Sequence, residues 1–155
     1  MIEIRVRKAL GDFTLDADID APPQGITALF GKSGSGKTSL VRAIAGALKP
    51  DSGRIVVGDR VFFDSERGID LPINRRGVGY VFQDARLFPH LSVKGNLLYG
   101  YKRANGRRKL EIADVVELLG ISGVLERRTH ALSGGEKQRV AIGRALLAQP
   151  ELLIM

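Results

Sequence analysis

Residues 31–38 read Gly31-Lys32-Ser33-Gly34-Ser35-Gly36-Lys37-Thr38, and this octapeptide decides the fold. It fits the pattern G-x-x-x-x-G-K-[ST], whose glycines let the backbone wrap closely enough for successive N–H groups to face phosphate oxygens. The six residues before it, GITALF at 25–30, are more uniformly apolar than residues 13–19, as expected of a strand buried on both faces. After it a helix is expected from about residue 37 to 48, stopped by Pro50 and the turn Asp51-Ser52-Gly53. A loop between such a strand and a helix start puts the positive end of the helix dipole at the same place. Lys37 is then expected to reach the β- and γ-phosphates of a nucleotide, with the Thr38 hydroxyl on Mg²⁺. The nucleotide-binding set is Gly31, Lys32, Ser33, Gly34, Ser35, Gly36, Lys37, Thr38 and Ser39. A chance Gly/Ser-rich turn would match the letters without the flanking strand and helix. By itself the motif leaves kinases, GTPases, helicases and transport ATPases open.

Working outward, residues 2–6 and 13–19 read as strands. In the second, Phe13, Leu15, Ala17 and Ile19 alternate with Thr14, Asp16 and Asp18, the period of a half-exposed antiparallel strand. Short strands are expected at 54–57 and 60–63 around the hairpin signal Gly58-Asp59, and another at 78–82. From residue 84 to 131 the pattern turns helical: Ile112, Val115, Val116 and Leu119 form one stripe, and Gly120 is a natural stop. A last helix runs from after Leu132 to about Gln149. Pro150 breaks it before the apolar run Leu152-Leu153-Ile154-Met155.

At 155 residues the chain has room for one α/β domain with a real core, not two. The absence of cysteine excludes a disulfide framework and fits a reducing compartment. No stretch reaches the roughly 20 apolar residues of a membrane span, and the alternating N-terminus MIEIRVRKAL is not a signal peptide. A soluble or peripheral protein is expected. The 24 Lys and Arg against 17 Asp and Glu give a net charge of +7. A nucleic-acid binder is one reading of that charge; a surface meeting phosphate ligands or anionic lipid is the simpler one. The densest basic cluster, Lys102, Arg103, Arg107, Arg108 and Lys109 around Asn105-Gly106, reads as a solvated loop.

A second phosphate reader narrows the class. Leu132-Ser133-Gly134-Gly135-Glu136 places Ser133 just before a helix, followed by two glycines that expose backbone N–H groups at its positive end. Ser133-x-x-Glu136 is also a capping box. Capping explains the serine and glutamate but not Gly134 and Gly135, poor residues for a first helical turn. The run LSGGEKQRVAIGRAL resembles the signature of ATP-binding-cassette (ABC) ATPases. That resemblance implies an α/β fold: a RecA-like P-loop NTPase core with N-terminal antiparallel strands and a helical subdomain inserted. The core would span about 1–83 and 132–155 and the helical subdomain about 84–131, as one partial domain.

The same resemblance implies that the signature faces ATP held by a second subunit in a head-to-tail dimer. Gln83, in GYVFQD, matches the family's glutamine loop and would ligate Mg²⁺ or orient the attacking water. The adenine-stacking aromatic of the family lies upstream of the phosphate loop, where Phe13 is the candidate; Phe13 is also readable as core. His90 and His130 precede the position of the family's switch histidine and read as loop residues. The acidic pair that holds metal and polarises water follows the final strand in the family, so no catalytic residue is identified within the chain. A fragment of a longer ATPase, with an exposed central strand, is expected.

Only 48 residues (84–131) separate Gln83 from Leu132, which leaves no room for the long coiled coil of DNA-repair members. GITALFGKSGSGKTSL and RRGVGYVFQDARLFPHLSVKGNLLYG are similar to the ATPase subunits of bacterial molybdate importers. The resemblance implies ATP and Mg²⁺ as cofactors, with membrane permease subunits and, indirectly, an oxyanion-binding protein as partners. It places the chain at the cytoplasmic face of the cell membrane, with no role for nucleic acid. Sulfate, thiosulfate, tungstate or another solute stays open as the cargo.

Overall fold

A computed structural model describes residues 1–104 and 109–155, which form two compact units, Met1–Gly77 and Val78–Met155. Asn105, Gly106, Arg107 and Arg108, the middle of the basic cluster, lie outside the described residues.

The first unit is an antiparallel sheet with one helix. β1 (Ile2–Leu10) and β2 (Phe13–Ala21) form a hairpin, and β3 (Ser52–Val57), β4 (Arg60–Asp64) and β5 (Ile69–Asp70) complete the order β2-β1-β3-β4-β5. Alternation does what a period of two demands: Ile4, Val6, Leu15, Ile55 and Val57 are buried while their neighbours are more exposed. Arg5 on β1 pairs with Asp18 and Asp20 of β2, both at 2.8 Å, and the Arg5 hydrogen bond holds the Asp20 carboxyl below its usual range. Gly53 is the tightest point of the sheet. A Cβ there would sit 1.9 Å from the Arg5 carbonyl oxygen, and its φ of +112° is open to glycine at little cost and strained for other residues.

The helix α1 (Lys37–Ala45) follows the phosphate loop and ends at Ala45, three residues before the expected limit, with Gly46 in the left-handed conformation as its C-cap. Its buried stripe is Leu40, Ala43, Ile44 and Ala45. One expectation fails here. Residues 25–30 form no ladder, and Ile26, Leu29 and Phe30 are exposed, Ile26 at 97%. An apolar run is only half of what makes a buried strand; neighbours must also supply hydrogen bonds along both edges. The five-stranded sheet of this unit runs from β2 to β5 without taking these residues in.

The second unit is mostly helical. β6 (Val78–Tyr80) and β7 (Leu152–Ile154) pair in parallel, and the Val81 N–H extends the ladder to the Ile154 carbonyl at 2.9 Å. Around them lie α2 (Val93–Tyr101), α3 (Ile112–Leu119) and α4 (Gly134–Leu147). α3 carries the expected stripe and stops at left-handed Gly120. α2 was not legible from its sequence: Gly95 and Gly100 weaken its helix signal. Packing supplies the reason for Gly100, where a Cβ would stand 2.1 Å from the Arg144 carbonyl oxygen of α4. α4 is buried on two sides. Val140 and Leu147 join Val93, Leu97, Val115 and Ile121, while Ala141 and Ala145 pack with Val81 and Ala85.

Candidate functional site

In the first unit the phosphate loop is organised by its own lysine. The Lys37 Nζ donates to the carbonyls of Gly31 (2.7 Å) and Lys32 (2.6 Å) and reaches Ser35 Oγ at 3.4 Å. One ammonium thus ties the start of the loop to the start of α1. Ser35 N–H closes a turn on the Lys32 carbonyl, and Gly34 (φ +80°) and Gly36 (φ +88°) take left-handed conformations that L side chains resist. Gly31 is required for space instead, since a Cβ there would meet Ser35 Oγ at 2.7 Å.

A pocket of about 300 Å³ opens on this loop, lined by Phe13, Ser33, Gly34, Gly36, Lys37, Thr38 and Ser39. Phe13 therefore belongs to the loop's surroundings rather than to the sheet core. It is 39% exposed, and its ring edge lies where a Gly36 Cβ would come within 2.9 Å. An aromatic face beside a cradle of backbone N–H groups suits a flat base attached to a phosphate chain. Among the described residues no cluster of three His, Cys, Asp or Glu side chains is placed to hold a metal. Mg²⁺ at phosphate sites keeps waters and takes few protein ligands beside the phosphates themselves, so the single hard oxygen of Thr38 fits it.

In the second unit the structure brings the segment that holds Gln83 beside the helix that begins at Ser133-Gly134-Gly135. Ser133 is the N-cap of α4: its Oγ accepts from the Glu136 N–H at 3.2 Å, and Glu136 Oε2 accepts from the Ser133 N–H at 2.7 Å. The N–H of Ser133 and then its hydroxyl hold the Glu136 carboxyl below its usual range. The glycines next to it have no structural demand on them. A Cβ on Gly134 or Gly135 would meet nothing within 4 Å, and neither has positive φ. Leu132 is buried under this turn, whereas Ser133 to Gly135 are exposed. The result is a bare helix start, open to close approach by a ligand oxygen.

Gln83 is exposed in the turn that follows β6. Three residues that motif reading passed over hold this segment. Gln138 of α4 donates to the Phe82 carbonyl at 3.4 Å. Arg144 of α4 reaches the Ala85 carbonyl at 3.5 Å and lies 4.8 Å from the Phe88 ring centroid. Burial lowers the Arg144 pKa from its ordinary value. Asn96, fully buried in α2, accepts from the Phe88 N–H at 2.9 Å and donates to the Phe88 carbonyl at 3.2 Å. No sequence signal marked Asn96, because neither the helix that carries it nor its burial was legible. Ala85 (φ 60°) and Arg86 (φ 44°) are left-handed non-glycine residues between these clamps, a conformation that persists only where surroundings impose it. His90 is exposed in a turn, and His130 is exposed in the short 3-10 helix Thr129–Ala131 rather than in a loop.

A lysine-bridged glycine loop at a helix start, in an α/β chain, defines a phosphate-loop nucleotide-binding protein. The chain matches the ABC transporter family over residues 15–155 and belongs to it. It is 54% identical over all its 155 residues to the "Molybdenum import ATP-binding protein ModC" of Aliivibrio fischeri. It is 56% identical to the protein so named in Paramagnetospirillum magneticum. It spans 42% and 43% of the lengths of those two relatives. Among solved structures it resembles MJ1267, an ATP-binding cassette of an ABC transporter, with TM-score 0.75 and 28% identity over 98% of this chain and 66% of that one. It also shares the fold of the cassette MJ0796, in a dimeric post-hydrolysis state bound to ADP and Pi, with TM-score 0.76 and 23% identity over 99% of this chain and 72% of that one. No described helix is long and apolar enough to cross a membrane.

Proposed function

We propose that this chain is part of the ATPase subunit of a bacterial molybdate importer, working at the cytoplasmic face of the membrane. The observation that carries the nucleotide part is the pocket shared by Phe13, Lys37 and Thr38 on the phosphate loop. The cargo assignment rests on relatives of that name at 54% and 56% identity; sulfate, thiosulfate or tungstate import is the alternative, and the residues at hand do not touch cargo. On this reading the ATPase core comprises about 1–83 and 132–155, with a helical subdomain at about 84–131.

Phe13 stacks on adenine, the loop N–H groups and the Lys37 ammonium hold the phosphate chain, and the Thr38 hydroxyl would ligate Mg²⁺. The ion, when bound, neutralises charge developing on the β- and γ-oxygens. The Ser133–Gly135 helix start meets the γ-phosphate held by a second copy, so that two subunits close head to tail on two ATP molecules. Closure moves the helical subdomain against the permease subunits, and hydrolysis reopens the dimer. ATP drives this only through its preference for the closed form.

Lys37→Ala removes the loop's bridging cation and is expected to abolish ATP binding by equilibrium titration; unchanged affinity would overturn the phosphate-loop assignment. Ser133→Arg is expected to spare ATP binding to the monomer while blocking MgATP-dependent dimerisation in sedimentation velocity. Dimerisation that survived would refute the composite site.

A further inference from the structure

The helix α1 is fixed at both ends, and each end touches a different edge of the sheet. At its start, Gly36 lies against Phe13 and Leu15 of β2. At its end the contact is a single side chain. Arg76 is 1% exposed, and its Nη1 donates to the Ala43 carbonyl at 2.8 Å and to the Ile44 carbonyl at 2.9 Å. These are two of the last four carbonyls of α1, past the end of the helical ladder; the Ala43 carbonyl also accepts from the Gly46 N–H at 3.2 Å. The rest of the guanidinium is held by the opposite edge of the sheet. Its Nε donates to the Leu71 carbonyl at 2.7 Å, its Nη2 to Asp70 Oδ1 of β5 at 3.2 Å, and its plane lies 5.6 Å from the Phe62 ring centroid of β4. Gly46 leaves room for it, since a Cβ there would stand 2.7 Å from Arg76 Nε.

A buried guanidinium is expensive unless each donor is matched. Burial pushes Arg76 down from its ordinary pKa, opposed by Asp70, and it nonetheless stays charged. A positive charge at the C-terminal carbonyls also meets the negative end of the helix dipole, whose positive end faces the phosphate loop. An apolar residue would fill this space without that cost, so cohesion alone does not call for arginine. What arginine supplies is direction: four hydrogen bonds from one rigid fork hold the helix end at one angle to β5.

We propose that Arg76 is a positioning residue for nucleotide: by fixing the C-terminal end of α1 to the β4–β5 edge, it sets the distance between the phosphate loop and the Phe13 ring on the β2 edge. The lever is short. α1 has nine residues and is about 13 Å long, so a swing of roughly 10° displaces its far end by about 2 Å. That is enough to break stacking on Phe13 while leaving the loop's own geometry intact. The inference rests on the proposed role of Phe13 with adenine.

The test compares ATP with inorganic tripolyphosphate, which needs the loop but not the ring, on the 155-residue chain. Phe13→Ala is expected to weaken ATP by about 10-fold, the size of one lost base–aromatic stack, and to spare tripolyphosphate. Arg76→Lys, which keeps the charge and loses the fork, is expected to do the same, and to add little in the Phe13→Ala background. Asp70→Asn, which loosens the fork without emptying the site, is expected to show a smaller loss with the same selectivity, and serves if the lysine variant does not fold. Equal losses for both ligands, or a lowered Tm with both affinities unchanged, would overturn the inference. A Phe13→Ala variant that fails to discriminate overturns the stacking role itself, and the positioning role falls with it. A selective Phe13→Ala with unselective Arg76→Lys and Asp70→Asn overturns only the latter.

Discussion

Gly36→Ala tests the geometry of the phosphate loop at the atom where loop, helix and Phe13 meet. Gly36 has φ +88°, and the new Cβ would lie 2.9 Å from Phe13 Cζ, 3.1 Å from Phe13 Cε1 and 3.1 Å from Leu15 Cδ1. The left-handed backbone costs an L residue about 1–2 kcal/mol, and relieving the contacts adds about 1–3 kcal/mol. Phe13 is 39% exposed and can swing outward, which favours the lower part of that range. A total near 3 kcal/mol is therefore expected, a large share of the roughly 5–15 kcal/mol that a domain of this size has. The two contributions separate in a double-mutant cycle. With Phe13→Ala the two ring contacts vanish and only the backbone strain and the Leu15 contact remain, so Gly36→Ala should then cost about 1–2 kcal/mol. Urea unfolding of the four proteins, at constant m value, measures both. An equal penalty with and without the ring would show that Phe13 does not lie against the loop. A neutral Gly36→Ala would show that the loop does not require the left-handed turn.

Asn96→Ala should destabilise the chain by about 2–4 kcal/mol in the same assay, because it leaves the Phe88 N–H and carbonyl unpaired. Limited proteolysis should then cut first within residues 84–91, and an unchanged cleavage pattern would show that Asn96 does not hold that segment. The depressed pKa of Glu136 gives stability that is present above the ordinary carboxylate range and lost as pH falls through the lowered value. Glu136→Gln should accordingly lower Tm near pH 6 and converge on the parent protein only as pH falls from the ordinary carboxylate range through the lowered value. A Tm gap that stayed constant across that interval would exclude the capping carboxylate as its source.

Much of the site could be read without coordinates, because its parts are local. The phosphate loop is specified by eight adjacent residues, whose glycines permit left-handed turns and whose lysine reaches carbonyls five and six residues away. The Ser133–Glu136 box is equally local, and its hydrogen bonds formed as the spacing requires. The β1–β2 hairpin and the α3 stripe follow from periods of 2 and 3.6 that no distant residue has to supply.

What the tertiary structure decided are the relations between segments far apart in the chain. Residues 25–30 carry the composition of a buried strand, yet a strand is a property of its neighbours, and these residues form no ladder. Phe13 was readable either as core or as a ring beside the loop, and the fold of the first unit put it in the loop's pocket. Arg76 looked like one basic residue among many. Only folding placed its guanidinium against carbonyls more than thirty residues earlier, because a hydrogen bond depends on distance in space and is blind to separation along the chain.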